Sequence, residues 1–133
     1  MQLKFSWFQF REIWLPSCTG NSLVADCNHI CSLLTDDGGC GIKHLIGWLK
    51  EARQRCSSVL SDASTVETFD SEDWSAEIGK EKTIIYSNTE SPDEGQTLKT
   101  TTFLNLLNDW IDFLETTAET DSKNTIMTIN EYY

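Results

Sequence analysis

Three cysteines and one histidine follow one another at spacings that zinc sites use. The set is arranged as C-x3-C-x8-C-x3-H and comprises Cys27, Cys31, Cys40 and His44. Thiolate and imidazole are the ligands that Zn²⁺ prefers in proteins, so a zinc-containing adaptor or regulatory module is one hypothesis. Cys27 and Cys31 also fall on the apolar side of a predicted helix, where a buried thiol behaves as a small hydrophobic group. Core thiols are the simpler interpretation, and we expect no bound metal or cofactor.

A second group of reactive side chains is acidic and lies near the middle of the chain. Its members are Glu67, Asp70, Glu72, Asp73 and Glu77. Two carboxylates held at a fixed separation can hydrolyse glycosidic or phosphate bonds, so a hydrolase built on Asp70, Glu72 and Asp73 is an alternative hypothesis. However, the sequence contains no glycine-flanked serine elbow and no cysteine motif paired with a later histidine. We therefore expect a protein without catalytic residues.

Charge is distributed unevenly along the chain. Up to Ser61 there are five acidic and six basic residues, whereas sixteen acidic and four basic residues follow from Asp62 to Tyr133. The overall formal charge is −11. A field of one sign attracts partners of the opposite sign, and it repels nucleic acid and anionic membranes. These charges predict a basic protein partner, and they argue against binding to nucleic acid or a membrane.

Length and cysteine usage indicate one domain in a reducing compartment. At 133 residues with 39% hydrophobic residues, the chain suits a single domain spanning 1–133 with a packed core. The N-terminus lacks the features of a secretory leader, and no apolar stretch is long enough to cross a bilayer. Five cysteines, an odd number confined to the first half, fit reduced thiols better than a disulfide framework. We expect a cytoplasmic protein.

Hydrophobic periodicity in the first half predicts one strand and two helices. Alternating apolar residues indicate a strand up to about Arg11, and Pro16 and Gly20 predict a break after it. Apolar residues then recur at helical spacing over 23–34 and 42–56. The glycine-rich stretch from Asp36 to Gly41 separates these two helices, and we interpret it as a helix-ending turn.

The middle of the chain is rich in β-branched and aromatic residues, which predicts short strands. They are predicted at 66–69, 74–78 and 83–86. Gly79 and Lys80 predict a hairpin between the last two strands. By period-two counting, the face that carries Trp74 is expected to meet Ile84 and Tyr86 on the next strand.

The last third predicts a polar acidic loop over 88–96, a largely buried helix over 101–116 and an edge strand over 125–130. The helix is the clearest element, since apolar residues cover a broad face and leave one narrow polar stripe. The predicted fold is therefore α+β: a small, mainly antiparallel sheet of about four to five strands, packed by two to three helices.

Part of this pattern resembles a known class of protein. The segments are VETFD at 66–70, KTIIYS at 82–87, an acidic loop, and TFLNLLNDWIDFL at 102–114. In this order they resemble the small bacterial immunity proteins that accompany polymorphic and contact-dependent growth-inhibition toxins. The resemblance covers somewhat over a third of the chain. Since immunity proteins have many unrelated folds, it implies a function rather than an architecture.

The resemblance implies a protein that neutralises one cognate toxin C-terminal domain, commonly a basic nuclease, by covering its active site or an adjacent surface. An aromatic residue within an acidic rim is typical of a hot spot for a partner rich in lysine and arginine, although Trp74 would equally suit a hairpin core. The expected toxin-binding residues are Glu67, Asp70, Glu72, Asp73, Trp74, Glu77, Glu90, Asp93 and Glu94.

Overall fold

The computed structural model describes residues 2–20, 28–119 and 127–131. Within these ranges seven strands and three helices follow in the order β1 (Gln2–Phe10), β2 (Ile13–Gly20), α1 (Asn28–Thr35), α2 (Ile42–Leu60), β3 (Val66–Asp70), β4 (Trp74–Gly79), β5 (Lys82–Ser87), β6 (Gln96–Lys99), α3 (Thr100–Glu119) and β7 (Met127–Glu131). A short 3-10 helix, Pro92–Glu94, precedes β6. The strands form two antiparallel sheets with the orders β2-β1-β7 and β3-β4-β5-β6. The α+β class is confirmed, with the strands divided between two sheets.

The first sheet contains a strand that the sequence analysis did not predict. Pro16 and Gly20 were interpreted as a break, yet both lie in β2, which pairs with β1 along its whole length. Arg11 and Glu12 make the tight turn before β2, with φ angles of 51° and 68°. Pro16 is compatible with a strand here because β2 lies at the edge of the described sheet, where a missing N–H group costs little.

The four-stranded sheet turns its apolar face towards the helices. Ala76 in β4 pairs with Ile85 in β5, and both are fully buried. The prediction that Ile84 and Tyr86 would meet this face was wrong by one residue, because neighbouring residues of a strand point to opposite faces. Strand β6 was not predicted: only its first residue, Gln96, belonged to the predicted loop. It pairs with β5 and completes the sheet.

The helices connect the two sheets. Helix α1 contacts β2 of the first sheet and both β4 and β5 of the second, whereas α2 packs on α3, β3 and β4. The predicted helix over 23–34 begins outside the described residues, and α1 starts at Asn28. The predicted apolar stripe of α2 is confirmed, since its buried residues are Leu45, Leu49, Ala52, Cys56 and Val59. Burial raises the pKa of the Cys56 thiol to about 12.

Trp110 in α3 is fully buried where α1, α3 and β1 meet. Its Nε1–H donates a hydrogen bond to the carbonyl oxygen of Leu34 in α1 at 2.7 Å. The ring of Phe5 in β1 packs edge-on against it at 4.8 Å, and the ring of Phe113 stacks on it at 5.5 Å. One side chain thus joins two helices and the first sheet.

Two buried tryptophans offer a matched test of that hydrogen bond. Trp7 also contacts Phe113 and is 2% exposed, but its Nε1 has no hydrogen-bond partner in the part of the chain that the structure describes. We expect Trp110→Phe to lower the free energy of unfolding by about 2 to 3 kcal/mol, because it removes volume and the donor to a buried carbonyl. Trp7→Phe should cost about 1 kcal/mol, since it removes volume and an unpaired donor. Urea unfolding followed by circular dichroism measures both, and equal losses would contradict the assigned role of the bond.

Candidate functional site

Two turns bring five carboxylates to one end of the molecule. We call this surface the acidic end, and it comprises Asp36, Asp37, Asp70, Glu72 and Asp73. The first two belong to the α1–α2 loop, and the others belong to the end of β3 and the turn that leads to β4. The Asp36 carboxylate joins the two segments, because its Oδ2 accepts hydrogen bonds from Ser71 Oγ at 2.6 Å and from the Asp73 backbone N–H at 2.8 Å.

A glycine allows the α1–α2 loop to lie close to that turn. Gly38 has a φ of +61°, and a Cβ placed there would lie 3.1 Å from the Trp48 side chain and 3.5 Å from Cβ of Glu72. Both the backbone angle and the available space therefore favour glycine. The Asp37 carboxylate completes the loop by accepting hydrogen bonds from the N–H groups of Gly39 and Gly41.

The β3–β4 turn is also supported from the loop after β5. The side-chain amide of Asn88 donates to the Glu72 carbonyl at 3.0 Å, and the Asn88 N–H donates to the Asp73 carbonyl at 2.9 Å. Ser75 Oγ donates to Asp70 Oδ1 at 2.6 Å. The backbone of the acidic end is thus held on both sides, while the side chains of Glu72 and Asp73 are exposed.

No basic side chain of the described residues forms an ion pair with the acidic end, although Glu51, and to a smaller extent the Asp70 carboxylate, raise the pKa of Arg55. In the described ranges, none of its five carboxylates lies within ion-pair distance of a lysine, an arginine or a histidine. The lysine ion pairs are elsewhere, Lys50 with Glu115 and Lys80 with Asp62. Carboxylates without an ion-pair partner, on a backbone held by hydrogen bonds, produce a local negative potential.

Two other predicted site residues, Glu90 and Trp74, are engaged within the chain. Glu90 Oε1 accepts a hydrogen bond from the Ser87 N–H at 2.7 Å and lies 2.8 Å from Nε2 of His29. The Ser87 N–H, and secondly His29, lower the pKa of the Glu90 carboxyl below its usual value. The Trp74 ring packs edge-on against His29 at 5.3 Å and is only half-buried. Trp74 therefore packs partly against the core, and it follows Asp73 of the acidic end directly in the chain.

The remaining predicted residues lie at other positions. Glu67 faces α2, where it lies 3.8 Å from a guanidinium nitrogen of Arg55 and accepts a hydrogen bond from Ser64. Glu77 is half-buried on the sheet face opposite the one that carries Ala76 and Ile78. Glu94 caps the 3-10 helix and Asp93 is exposed on it. Of the nine predicted residues, the structure thus brings Asp70, Glu72, Asp73 and Trp74 together.

Sequence reasoning missed Asp36 and Asp37 as members of the site. They were interpreted only as part of a helix-ending turn. Aspartates that follow a helix and precede glycines do predict side-chain hydrogen bonds within a turn. The bonds from Asp36 to Ser71 and Asp73 span 35 and 37 residues, however, and no local pattern predicts such contacts.

The proposed zinc ligands are not brought together among the residues that the structure describes. The thiol of Cys31 lies 3.5 Å from that of Cys18, the thiol of Cys40 is exposed beside the Gly38 carbonyl, and His44 packs edge-on against Trp48. Cys27 lies outside the described residues. Within residues 2–20, 28–119 and 127–131, no three histidine, cysteine or acidic side chains converge to hold a metal ion.

The hydrolase hypothesis also gains no support from the geometry. Catalytic carboxylates are held at a fixed separation in a cleft that binds the substrate. Glu72 and Asp73 instead lie exposed on a turn, and Asp70 is exposed beside them.

Comparisons with protein-family models, curated proteins and solved structures found no match for this chain. Among the described helices, none is long and apolar enough to cross a membrane.

The lowered pKa of Glu90 predicts a specific pH dependence of stability. A carboxyl with a lowered pKa in the folded state contributes stability above its unfolded value, about 4.3 for glutamate, and this contribution is lost as pH falls through the folded pKa. We expect Glu90→Gln to reduce the loss of stability on acidification below about pH 4.3. The measurement is the free energy of unfolding in urea at a series of pH values. Asp93→Asn, an exposed change in the same loop, is the control and should leave the profile unchanged. A Glu90→Gln profile parallel to that of the wild type would contradict the assignment.

Proposed function

We propose that this chain is a cytoplasmic immunity protein that binds and neutralises a cognate bacterial toxin domain through electrostatic capture of a basic surface. The toxin that fits best is a nuclease, since an enzyme that binds the phosphates of nucleic acid presents lysine and arginine around its active site. The observation that carries the proposal is the acidic end, whose five carboxylates are held close together with no basic side chain of the described residues paired to them.

The acidic end has the physical properties that fast and specific capture of a basic protein requires. Complementary potentials raise the association rate and disfavour wrong partners. Because hydrogen bonds from Ser71, Asn88 and the Asp73 N–H already fix the turn, little backbone entropy is lost when a partner docks. The protein therefore needs no catalytic group, since covering the toxin's active site is enough to block it.

The predicted contact residues divide into two roles under this proposal. Glu72 and Asp73 supply the exposed charge, and the exposed part of Trp74 supplies an aromatic contact next to them in the chain. Glu67 and Glu90 support the fold and do not contact the toxin, because their carboxylates already bind Arg55 and His29. Asp36 acts in the same way by holding the turn that presents Glu72 and Asp73.

The proposal is tested by the neighbouring gene and by co-expression. We expect the gene to lie immediately downstream of a large toxin gene, and we expect co-expression to protect cells from that toxin's C-terminal domain. Purified protein should bind the same domain in a complex whose association slows as salt rises. Absence of such a neighbour together with absence of protection would count heavily against this function.

Charge reversal at the acidic end should weaken toxin binding far more than the same charge change elsewhere. We expect the double variant Glu72→Lys/Asp73→Lys to raise the dissociation constant for the toxin domain by about 100-fold or more, because like charges then face each other. The matched control is Glu81→Lys/Asp112→Lys. Glu81 lies in the turn at the opposite end of β4, Asp112 is exposed on α3, and the net charge change is identical. Titration calorimetry measures both variants, and equal weakening would show that only net charge matters.

A further inference from the structure

Two cysteines from different elements meet outside the acidic end. Cys18 in β2 and Cys31 in α1 place their Sγ atoms 3.5 Å apart. Cys18 is 6% exposed and pairs across the sheet with Phe5, whereas Cys31 is half-buried. Neither thiol contributes to the function proposed above.

The two sulfur atoms are in non-bonded contact. A disulfide has a sulfur–sulfur distance of about 2.05 Å, so the two atoms need to approach by about 1.5 Å. Rotation of the two cysteine side chains between staggered rotamers changes the separation of their sulfur atoms, and the proposed bond requires such a rotation. The other described cysteines differ, because Cys56 is fully buried on α2 and the exposed thiol of Cys40 donates a hydrogen bond to the Gly38 carbonyl of its own loop.

We infer that Cys18 and Cys31 form a redox-active dithiol that oxidises reversibly to an intramolecular disulfide and thereby fastens edge strand β2 to α1. The oxidant it requires is a low-molecular-weight disulfide or its protein equivalent, and the reductant that reverses it is a thiol. This inference concerns a different part of the surface from the acidic end and does not depend on the toxin-binding proposal.

The reaction proceeds by two thiol–disulfide exchanges. Cys31 attacks first, since it is the more exposed thiol and the hydrogen bond from Cys18 lowers its pKa. Its thiolate bonds to one sulfur of the external disulfide and releases the other sulfur as a thiolate. Cys18 then loses its proton to solvent and attacks Cys31, which expels the second external thiolate. Overall, two protein thiols become one disulfide while one external disulfide becomes two thiols.

The experiment uses the full chain, first reduced and then exposed to oxidised glutathione. An endoproteinase that cleaves before aspartate separates the thiols, because fragment 1–25 contains Cys18 alone and fragment 26–35 contains Cys27 and Cys31. In a Cys27→Ser background we expect non-reducing mass spectrometry to find fragment 1–25 linked to 26–35 and to lose that link on reduction. A link from Cys18 to another cysteine, or none with both thiols still free, would overturn the inference.

Single variants test the order of the two steps. In Cys18→Ser we expect glutathione to remain on Cys31, since the resolving thiol is gone, whereas Cys31→Ser should leave Cys18 largely unmodified because it is buried. Cys40→Ser and Cys56→Ser are the matched controls and should keep the cross-link. The midpoint temperature of thermal unfolding should be about 10 °C higher for the oxidised wild type than for the reduced form. Oxidation should leave the midpoint temperature of Cys31→Ser unchanged. An equal shift in Cys31→Ser would contradict the cross-link.

Discussion

The hydrogen bond from Trp110 to the Leu34 carbonyl is the constraint on which the rest of this structure depends. It fixes α3 against the last turn of α1, and the contact of the same ring with Phe5 fixes both helices against the first sheet. Leu34 lies two residues before Asp36, whose carboxylate holds the β3–β4 turn. A fully buried donor therefore determines, through a short stretch of chain, where the exposed carboxylates lie.

Like charges at the acidic end repel one another, and the fold offsets this cost locally. Asp36 and Asp37 are surrounded by donors, namely the hydroxyl of Ser71 and the N–H groups of Asp73, Gly39 and Gly41. Hydrogen bonds to an ionised carboxylate are stronger than neutral ones, so these two residues stabilise the turns they join. Among the described residues, no donor bonds to the side-chain carboxylates of Glu72 and Asp73, and both are exposed to solvent. Exposed charges of this kind contribute little to stability and are typical of binding surfaces.

The sequence predicted those elements whose periodicity is strong and missed those set by tertiary context. Helices α2 and α3 and strands β3 to β5 follow clear patterns. Strand β2 was missed because Pro16 normally interrupts a strand, and only its edge position permits it. Glu67 and Glu90 were predicted to contact a partner, whereas within the chain they lie beside Arg55 and His29, respectively. Those neighbours are distant in sequence, so no local pattern predicts the contacts. The thiol pair was missed for the same reason, since spacing grouped Cys31 with Cys27 and Cys40 rather than with Cys18.

Helix α1 supports both the acidic end and the thiol pair. The described part of α1, Asn28–Thr35, is held in place by packing, since its neighbours bury Ile30, Leu33 and Leu34. One side of it presents Cys31 to β2, and its C-terminal end leads to Asp36. Packing rather than helix propensity therefore places the thiol pair and the acidic end. For this reason, changes in the core that leave every surface residue intact should still disturb both.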